Sequence, residues 1–244
     1  MSNGAETLIP TTMVGSYPRP RWYTRRLWGK DIREALTEQN WREEYEDAVK
    51  AVIKDQELAG LDIVSDGEMF EDDLVGGFGW PDYPLSHLGG IDGRADSPLA
   101  GVVEQTAILT HMMASAPTPV VTQKVTRGPL RFAYLYQLAS SLTHQPVKAS
   151  FADPQFVVGS GLNDRYYGGK PGQPSQELVL DLVSIYNQEL RELADGGCPI
   201  YQSDLPPFAE LAKADVPGAA WEFDVKAFNT MVEGTGTMQI WQHY

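Results

Sequence analysis

Short apolar runs that end in a polar residue alternate along this chain with amphipathic helical stretches, and that alternation restricts the folds open to it. Residues 11–17 (TTMVGSY) are β-branched and are stopped by Pro18 and Pro20. Residues 41–59 place Trp41, Tyr45, Ala48, Val49, Val52 and Ile53 at helical spacing, with Asn40 as the expected N-cap and Gly60 just past the end. Residues 61–68 (LDIVSDGE), 147–153 (VKASFAD), 199–204 (PIYQSD) and 237–244 (TMQIWQHY) read as four further strands. Helices are expected over 132–142, 175–194 and 221–232, with Ser175 as a cap and Gly196-Gly197 as a stop. Alternating β and α predicts an α/β fold with a parallel sheet and right-handed crossovers. Two closures satisfy the pattern, an open doubly wound sheet or a (β/α)8 barrel. Gly15-Ser16-Tyr17-Pro18 does not fit a dinucleotide fingerprint after the first strand.

The stretch 69–146 departs from the alternation. Gly76, Gly77, Gly79, Gly89 and Gly90 with Pro81 and Pro84 predict a loop-rich excursion, and Phe78, Trp80 and Tyr83 give it the apolar content of a functional lid. The net charge of −14 disfavours nucleic acid and anionic membranes as partners. The start has no secretory pattern, and no apolar run approaches the roughly 20 residues of a membrane helix, so a cytoplasmic enzyme or binding protein is expected. The lone Cys198 excludes an internal disulfide framework and is expected to be a small buried residue. His87, His111 and His144 are read as surface or packing residues. Lys148 and Arg19 are placed near the rim, each ordinarily solvated.

In parallel α/β folds the chemistry sits at the carboxyl ends of the strands. Those ends carry Ser16, then Asp66 with Glu68, then Asp153, then Asp204, then His243. Taken singly, each is as well explained by turn or cap chemistry. The sequences around them resemble a known family. VGSYPRP (14–20), SDGEMFEDDLV (65–75), YQSDLP (201–206) and IWQHY (240–244) are similar, in this order, to motifs of the catalytic barrel of cobalamin-independent methionine synthases. That resemblance implies a (β/α)8 TIM-barrel fold, with about five βα units present. It implies a zinc-dependent S-methyltransferase, passing a methyl group from 5-methyltetrahydropteroylpolyglutamate to homocysteine. Zinc would hold the substrate thiol as thiolate, since a free thiol is mostly protonated at neutral pH. Carried over by position, Ser16, Glu68 and Asp204 would bind the amino-acid part of the thiol, Asp73 would shape the site, and His243 would be a zinc ligand.

The chain departs from the family pattern in three ways. The cysteine expected two residues after His243 is not present, Leu205 stands where the family commonly has Glu, and the pterin donor has no specific marker. The expectation is therefore that residues 1–244 are the N-terminal portion of one barrel, completed by a missing C-terminal segment or a second chain. A related thiol alkyltransferase such as epoxyalkane:coenzyme M transferase, and a truncated non-catalytic fragment, are the alternatives. A uroporphyrinogen-type decarboxylase is disfavoured by the Gly-Glu…Asp motif.

Overall fold

The structure, a computed structural model, describes residues 9–27, 29–71, 79–95, 118–159, 162–169, 175–204 and 218–243. In chain order its elements are α1 (Ile32–Ala35), α2 (Gln39–Leu58), α3 (Gly79–His87), β1 (Gly89–Ala95), β2 (Thr118–Thr126), α4 (Phe132–Ser140), β3 (Lys148–Ala152), α5 (Pro154–Gly159), β4 (Asn163–Asp164), α6 (Gln176–Asp195), β5 (Ile200–Asp204), α7 (Gly218–Met231) and β6 (Gln239–His243). The principal sheet has the order β3-β5-β6, and both pairs are parallel. Register aligns Ser150 with Gln202 and Trp241, and aligns Asp204 with Ala152 and His243. The α/β class and the parallel sheet therefore match the sequence pattern.

The first two expected strands take a different form. Residues 11–17 form no strand, and 61–68 contribute one parallel bridge, Val64 to Val147. Both segments nevertheless lie in order beside β3. Asp62 and Ile63 donate their N–H groups to Thr11 O at 3.1 Å, Tyr17 N–H reaches Gly67 O at 3.0 Å, and Lys148 N–H reaches Val64 O at 2.8 Å. A ladder fails to form because side chains take the backbone groups it needs. Gln56 of α2 accepts from Ser65 N–H at 2.9 Å and donates to Ser65 O at 2.8 Å. Asp62 Oδ2 likewise takes Thr11 N–H at 2.8 Å.

The excursion expected over 69–146 contains α3, β1, β2 and α4. β1 and β2 pair antiparallel, from Gly89 opposite Thr126 to Ala95 opposite Thr118, with register shifts between. The two residues of β4 extend this second sheet in parallel to β2.

The long helices match their expected spans to within a few residues. α2 buries Trp41, Tyr45, Ala48, Val49, Val52 and Ile53, but it begins after Glu38, so Asn40 lies inside it and caps nothing. α6 buries Leu178, Leu182, Val183, Ile185, Tyr186, Leu190 and Leu193, each worth about 1.5–3 kcal/mol of transfer free energy. Aromatic contacts join the layers: Phe151 of β3 stacks on Phe132 of α4 at 3.6 Å between ring centroids, and Phe132 meets Tyr186 of α6 edge-on at 5.5 Å. At the start of α6 the Ser175 side chain accepts from Glu177 N–H. Ser175→Ala is expected to lower stability by about 1 kcal/mol, measured by urea unfolding, with no change in ligand binding. Among the described residues, no helix is long and apolar enough to cross a membrane.

Candidate active site

Strand periodicity decides which side chains meet. Successive residues of a strand point to opposite faces, so Lys148 and Ser150 share one face of β3 while Gln202 and Asp204 share the aligned face of β5. His243 of β6, opposite Asp204, falls on the same face. Asp204 is buried and accepts from three sides. Ser150 Oγ donates to Oδ2 at 2.6 Å, Gln202 Nε2 donates to Oδ1 at 2.6 Å, and His243 Nδ1 lies 3.1 Å from Oδ1. His243 is 40% exposed at its side chain. Its contact with Asp204 through Nδ1 leaves Nε2 for a ligand.

Glu68 enters the same face from the turn after residue 66. Asp66 Oδ1 accepts from Glu68 N–H at 2.9 Å, closing an Asx turn. Gly67 and Glu68 are both left-handed, with φ of 66° and 57°. A Cβ on residue 67 would stand 2.5 Å from Val52 Cγ1, so the turn needs glycine there. Glu68 has no such freedom and is held in a conformation a non-glycine residue rarely adopts, a form of strain that concentrates at functional sites. Its carboxylate receives a short hydrogen bond from Ser16 Oγ. The same hydroxyl lies 3.4 Å from Glu71 Oε2.

Three of these acids are held away from their ordinary ionisation. Burial pushes Glu68 up to about 8, with the negative charges of Asp204 and Asp66 adding to the rise and the hydroxyls of Ser16 and Ser150 opposing it. Burial likewise brings Asp66 to about 6, against the pull of backbone N–H groups. Glu71 is raised well above the usual carboxylate range, first by burial and then by Glu68, Asp66 and Asp204. The arrangement is a buried acidic pocket whose carboxyl groups are held toward their protonated forms.

The structure brings together Ser16, Glu68, Asp204 and His243 of the expected site. Asp73, the Leu205 position and His111 lie outside the described residues. Asp153 does not join the pocket; it accepts from Gln155 N–H at 2.8 Å and Ser203 Oγ at 2.9 Å, where Ser203 occupies the other face of β5. Lys148 is a correction. It is buried rather than solvated at the rim, and its amine donates to Met13 O at 2.6 Å and Gln202 Oε1 at 2.5 Å. Sequence reasoning also passed over Ser150, Gln202 and Glu71. The two-residue spacing from Lys148 to Ser150 and from Gln202 to Asp204 was the available signal, but it acquires meaning only with the register. His87 is buried and stacked on Tyr83, which makes it a packing residue.

A tetrahedral zinc site of the kind the resemblance implies takes three protein ligands beside the substrate. His243 has the expected second partner, a carboxylate on its other nitrogen. Among the described residues, however, no group of three His, Cys, Asp or Glu side chains is placed to hold a metal. Cys198 is buried before the first residue of β5, at the other end of the strand from Asp204, and burial raises its thiol to about 11. The described residues do not fit a complete zinc site, and no chemical step is derived through one.

Comparison with known proteins gives the pocket its family. The model of the cobalamin-independent synthase catalytic domain matches residues 9–243. The chain is 28% identical over 265 residues to a 2-hydroxypropyl-CoM lyase of Xanthobacter autotrophicus, covering 98% of this chain and 57% of that protein. It is 27% identical to a 5-methyltetrahydropteroyltriglutamate–homocysteine methyltransferase of Thermotoga petrophila, covering 97% of this chain and 29% of that protein. A methionine synthase of Saccharolobus islandicus is 28% identical, with 93% of this chain and 60% of that protein covered. The chain thus spans less than two thirds of the length of each of these relatives. Among solved structures, a B12-independent methionine synthase from a Shewanella species, in complex with selenomethionine, superposes with a TM-score of 0.65 at 24% identity. That alignment covers 92% of this chain and 58% of the other, and it speaks to the fold. With almost the whole described length matched, the chain belongs to the family of the cobalamin-independent synthase catalytic domain.

Proposed function

We propose that this chain carries the amino-acid-binding part of an S-methyltransferase that passes a methyl group from 5-methyltetrahydropteroylpolyglutamate to homocysteine, giving methionine. The observation that carries this reading is the pair Glu68 and Asp204, two buried carboxyl groups on one face with the hydroxyls of Ser16 and Ser150 against them. A carboxylate pair of this kind is a receptor for a substrate ammonium, to which it would donate nothing and from which it would accept two charge-assisted hydrogen bonds. On ammonium entry Glu68 releases its proton, because the arriving positive charge reverses the cost of ionising it. Ser16 then orients the Glu68 carboxylate, while Gln202 and Ser150 orient that of Asp204. His243, held by Asp204 through Nδ1 and partly exposed, is the residue we assign to the sulfur end of such a substrate. We further read the sheet as an arc of a (β/α)8 barrel. The spatial order of residues 11–17, 61–67, β3, β5 and β6 supports this, as does the likeness to the methionine synthase structure.

A second reading, transfer to the sulfonate thiol coenzyme M, is favoured by the similarity to the lyase. A sulfonate needs a cationic clamp. Among the described residues, the two cations nearest the pocket are largely engaged, with only Nε of Arg19 left without a partner. Lys148 is bound to Met13 O and Gln202, and Arg19 donates to the carbonyls of Glu71 and Arg25 and lies over Tyr23. The acidic lining favours the amino acid. Titration calorimetry of the purified protein with L-homocysteine, and separately with coenzyme M, tests the choice, with metal content measured on the same sample. Binding of L-homocysteine, with coenzyme M at least about tenfold weaker, is expected from the loss of charged hydrogen bonds to the ammonium. Preference for coenzyme M would overturn the amino-acid reading, and binding of neither would remove the support for both thiols.

A further inference from the structure

Lys148 lies beneath the acidic pocket with no part in the ligand contacts just described. It is a buried cation 1% exposed, on the first residue of β3, and it reaches up the interior face. Its amine donates to two acceptors, the Met13 carbonyl and the Gln202 amide oxygen. That second contact has a consequence for Gln202. A side-chain amide has an oxygen end and an NH2 end of nearly equal size, and the network decides which way it faces. With the oxygen taken by Lys148, the NH2 end must face the other way. There it meets Asp204 Oδ1 at 2.6 Å, Val14 O at 3.0 Å and Ser150 Oγ at 3.2 Å, which are three acceptors.

We propose that Lys148 is a positioning residue for the ammonium subsite: by fixing the Gln202 amide it holds a donor against Asp204 and so sets the carboxylate that receives the substrate amine. Were the amide reversed, its oxygen would face the Asp204 carboxylate at hydrogen-bond distance with no proton between them, and its NH2 would face an amine that has only N–H groups to offer. Lys148 at the oxygen end, and Asp204 and Val14 O at the NH2 end, exclude the reversed amide together, and Lys148 is the only one of these that anchors the oxygen. Its location supports the assignment. Burial lowers its pKa, and the charges of Asp204 and Glu68 oppose that fall, so the lysine lies within electrostatic reach of both acids. A lysine kept in the interior only for packing would more simply be Met or Leu, since an unpaired buried cation is costly.

The inference rests on the amino-acid reading for its ligand but not for its geometry, and the experiment separates the two. In uniformly 15N-labelled protein, the Gln202 side-chain NH2 is expected to exchange slowly with solvent. Lys148→Met, close in length and uncharged, is expected to speed that exchange at least about tenfold while the backbone spectrum stays that of the folded wild type, as loss of one ordered hydrogen bond allows. The same variant is expected to bind L-methionine at least about tenfold more weakly, with 4-(methylthio)butyrate, which has no amine, unchanged. A lysine that served packing alone would weaken both ligands together and leave the amide exchange as it was, and that result would overturn the proposal. Should Lys148→Met not fold, Gln202→Glu retains the contact to Lys148 and removes the donor to Asp204. It is expected to lose the same selectivity for the amine, and unchanged selectivity would equally overturn the proposal. A wild type that protects the Gln202 amide, loses that protection in Lys148→Met, and binds neither ligand would sink the amino-acid reading and leave the lysine–amide lock standing.

Discussion

Asp204→Asn is expected to weaken binding of L-homocysteine and L-methionine by roughly 10- to 100-fold, the range for removing one charged hydrogen-bond partner from a buried site. The substitution is nearly isosteric, so stability changes little on volume grounds. The effect comes from the network. Asp204 accepts from Ser150, Gln202 and His243 at once, and an asparagine amide accepts through one end only. Turned one way, its NH2 faces the donors Gln202 Nε2 and His243 Nδ1; turned the other, it can donate to Ser150 Oγ, and in neither pose does it offer the substrate amine a charge. Calorimetry on the variant, with the amine-free 4-(methylthio)butyrate as control, checks this. Equal losses for the two ligands would mean that Asp204 supports the pocket without receiving an amine.

The second large effect is on pH. Glu68 titrates near 8 in the folded protein against an ordinary value of 4.5. Between those values the folded state holds a proton that the unfolded chain has released, so raising the pH favours unfolding. The contribution is fully present below the ordinary value and is lost progressively as the pH climbs to about 8. Its slope reaches about 1.4 kcal/mol per pH unit for one proton. Asp66 and Asp153, each raised to about 6, add to the lower part of that window. Urea unfolding at intervals from pH 5 to pH 8, in this window of lost stability, is expected to give steadily falling midpoints. Glu68→Gln should flatten the curve between about 6 and 8. The same proton has a binding signature. Near pH 7 an amino-acid ligand should expel about one proton, which calorimetry in buffers of different ionisation enthalpy detects, and affinity should rise with pH until Glu68 is ionised without help. A pH-independent midpoint would contradict the placement of Glu68 in a desolvated pocket.

Periodicity was a reliable guide where burial is one-sided. α2 and α6 lie close to their expected spans because their apolar residues recur at helical spacing and nothing local competes. β5 and β6 were legible from β-rich runs between Gly and Pro punctuation. Residues 61–68 have the same composition, yet the ladder is interrupted because Gln56, nine positions away on a helix, bonds both backbone groups of Ser65. A pattern read within one segment does not register such a competitor. β1 and β2 were hidden for another reason. Gly89 and Gly90 dilute the strand signal, although Gly90 is needed where the backbone passes Lys124 O too closely for a Cβ. In the site, the ends of runs pointed equally to Ser16, Asp66, Glu68, Asp153, Asp204 and His243; the resemblance to family motifs singled out Ser16, Glu68, Asp204 and His243, and Asp153 faces away. Which of them would meet was a question of register, and register belongs to two strands together. Lys148 illustrates the converse. A lysine beside a polar rim reads as solvated until the partner strand supplies an amide oxygen at 2.5 Å.

The left-handed backbone at Glu68 has a consequence for how far this pocket can drift under mutation. A residue with φ of 57° and no glycine freedom holds its place against a local penalty of about 1 kcal/mol or more, which the surrounding turn sustains. Glycine, and to a lesser degree asparagine, would sit there more comfortably than glutamate does. The acid at residue 68 is therefore accounted for by what its side chain meets in the pocket, the Ser16 hydroxyl first, and not by the needs of the turn that carries it.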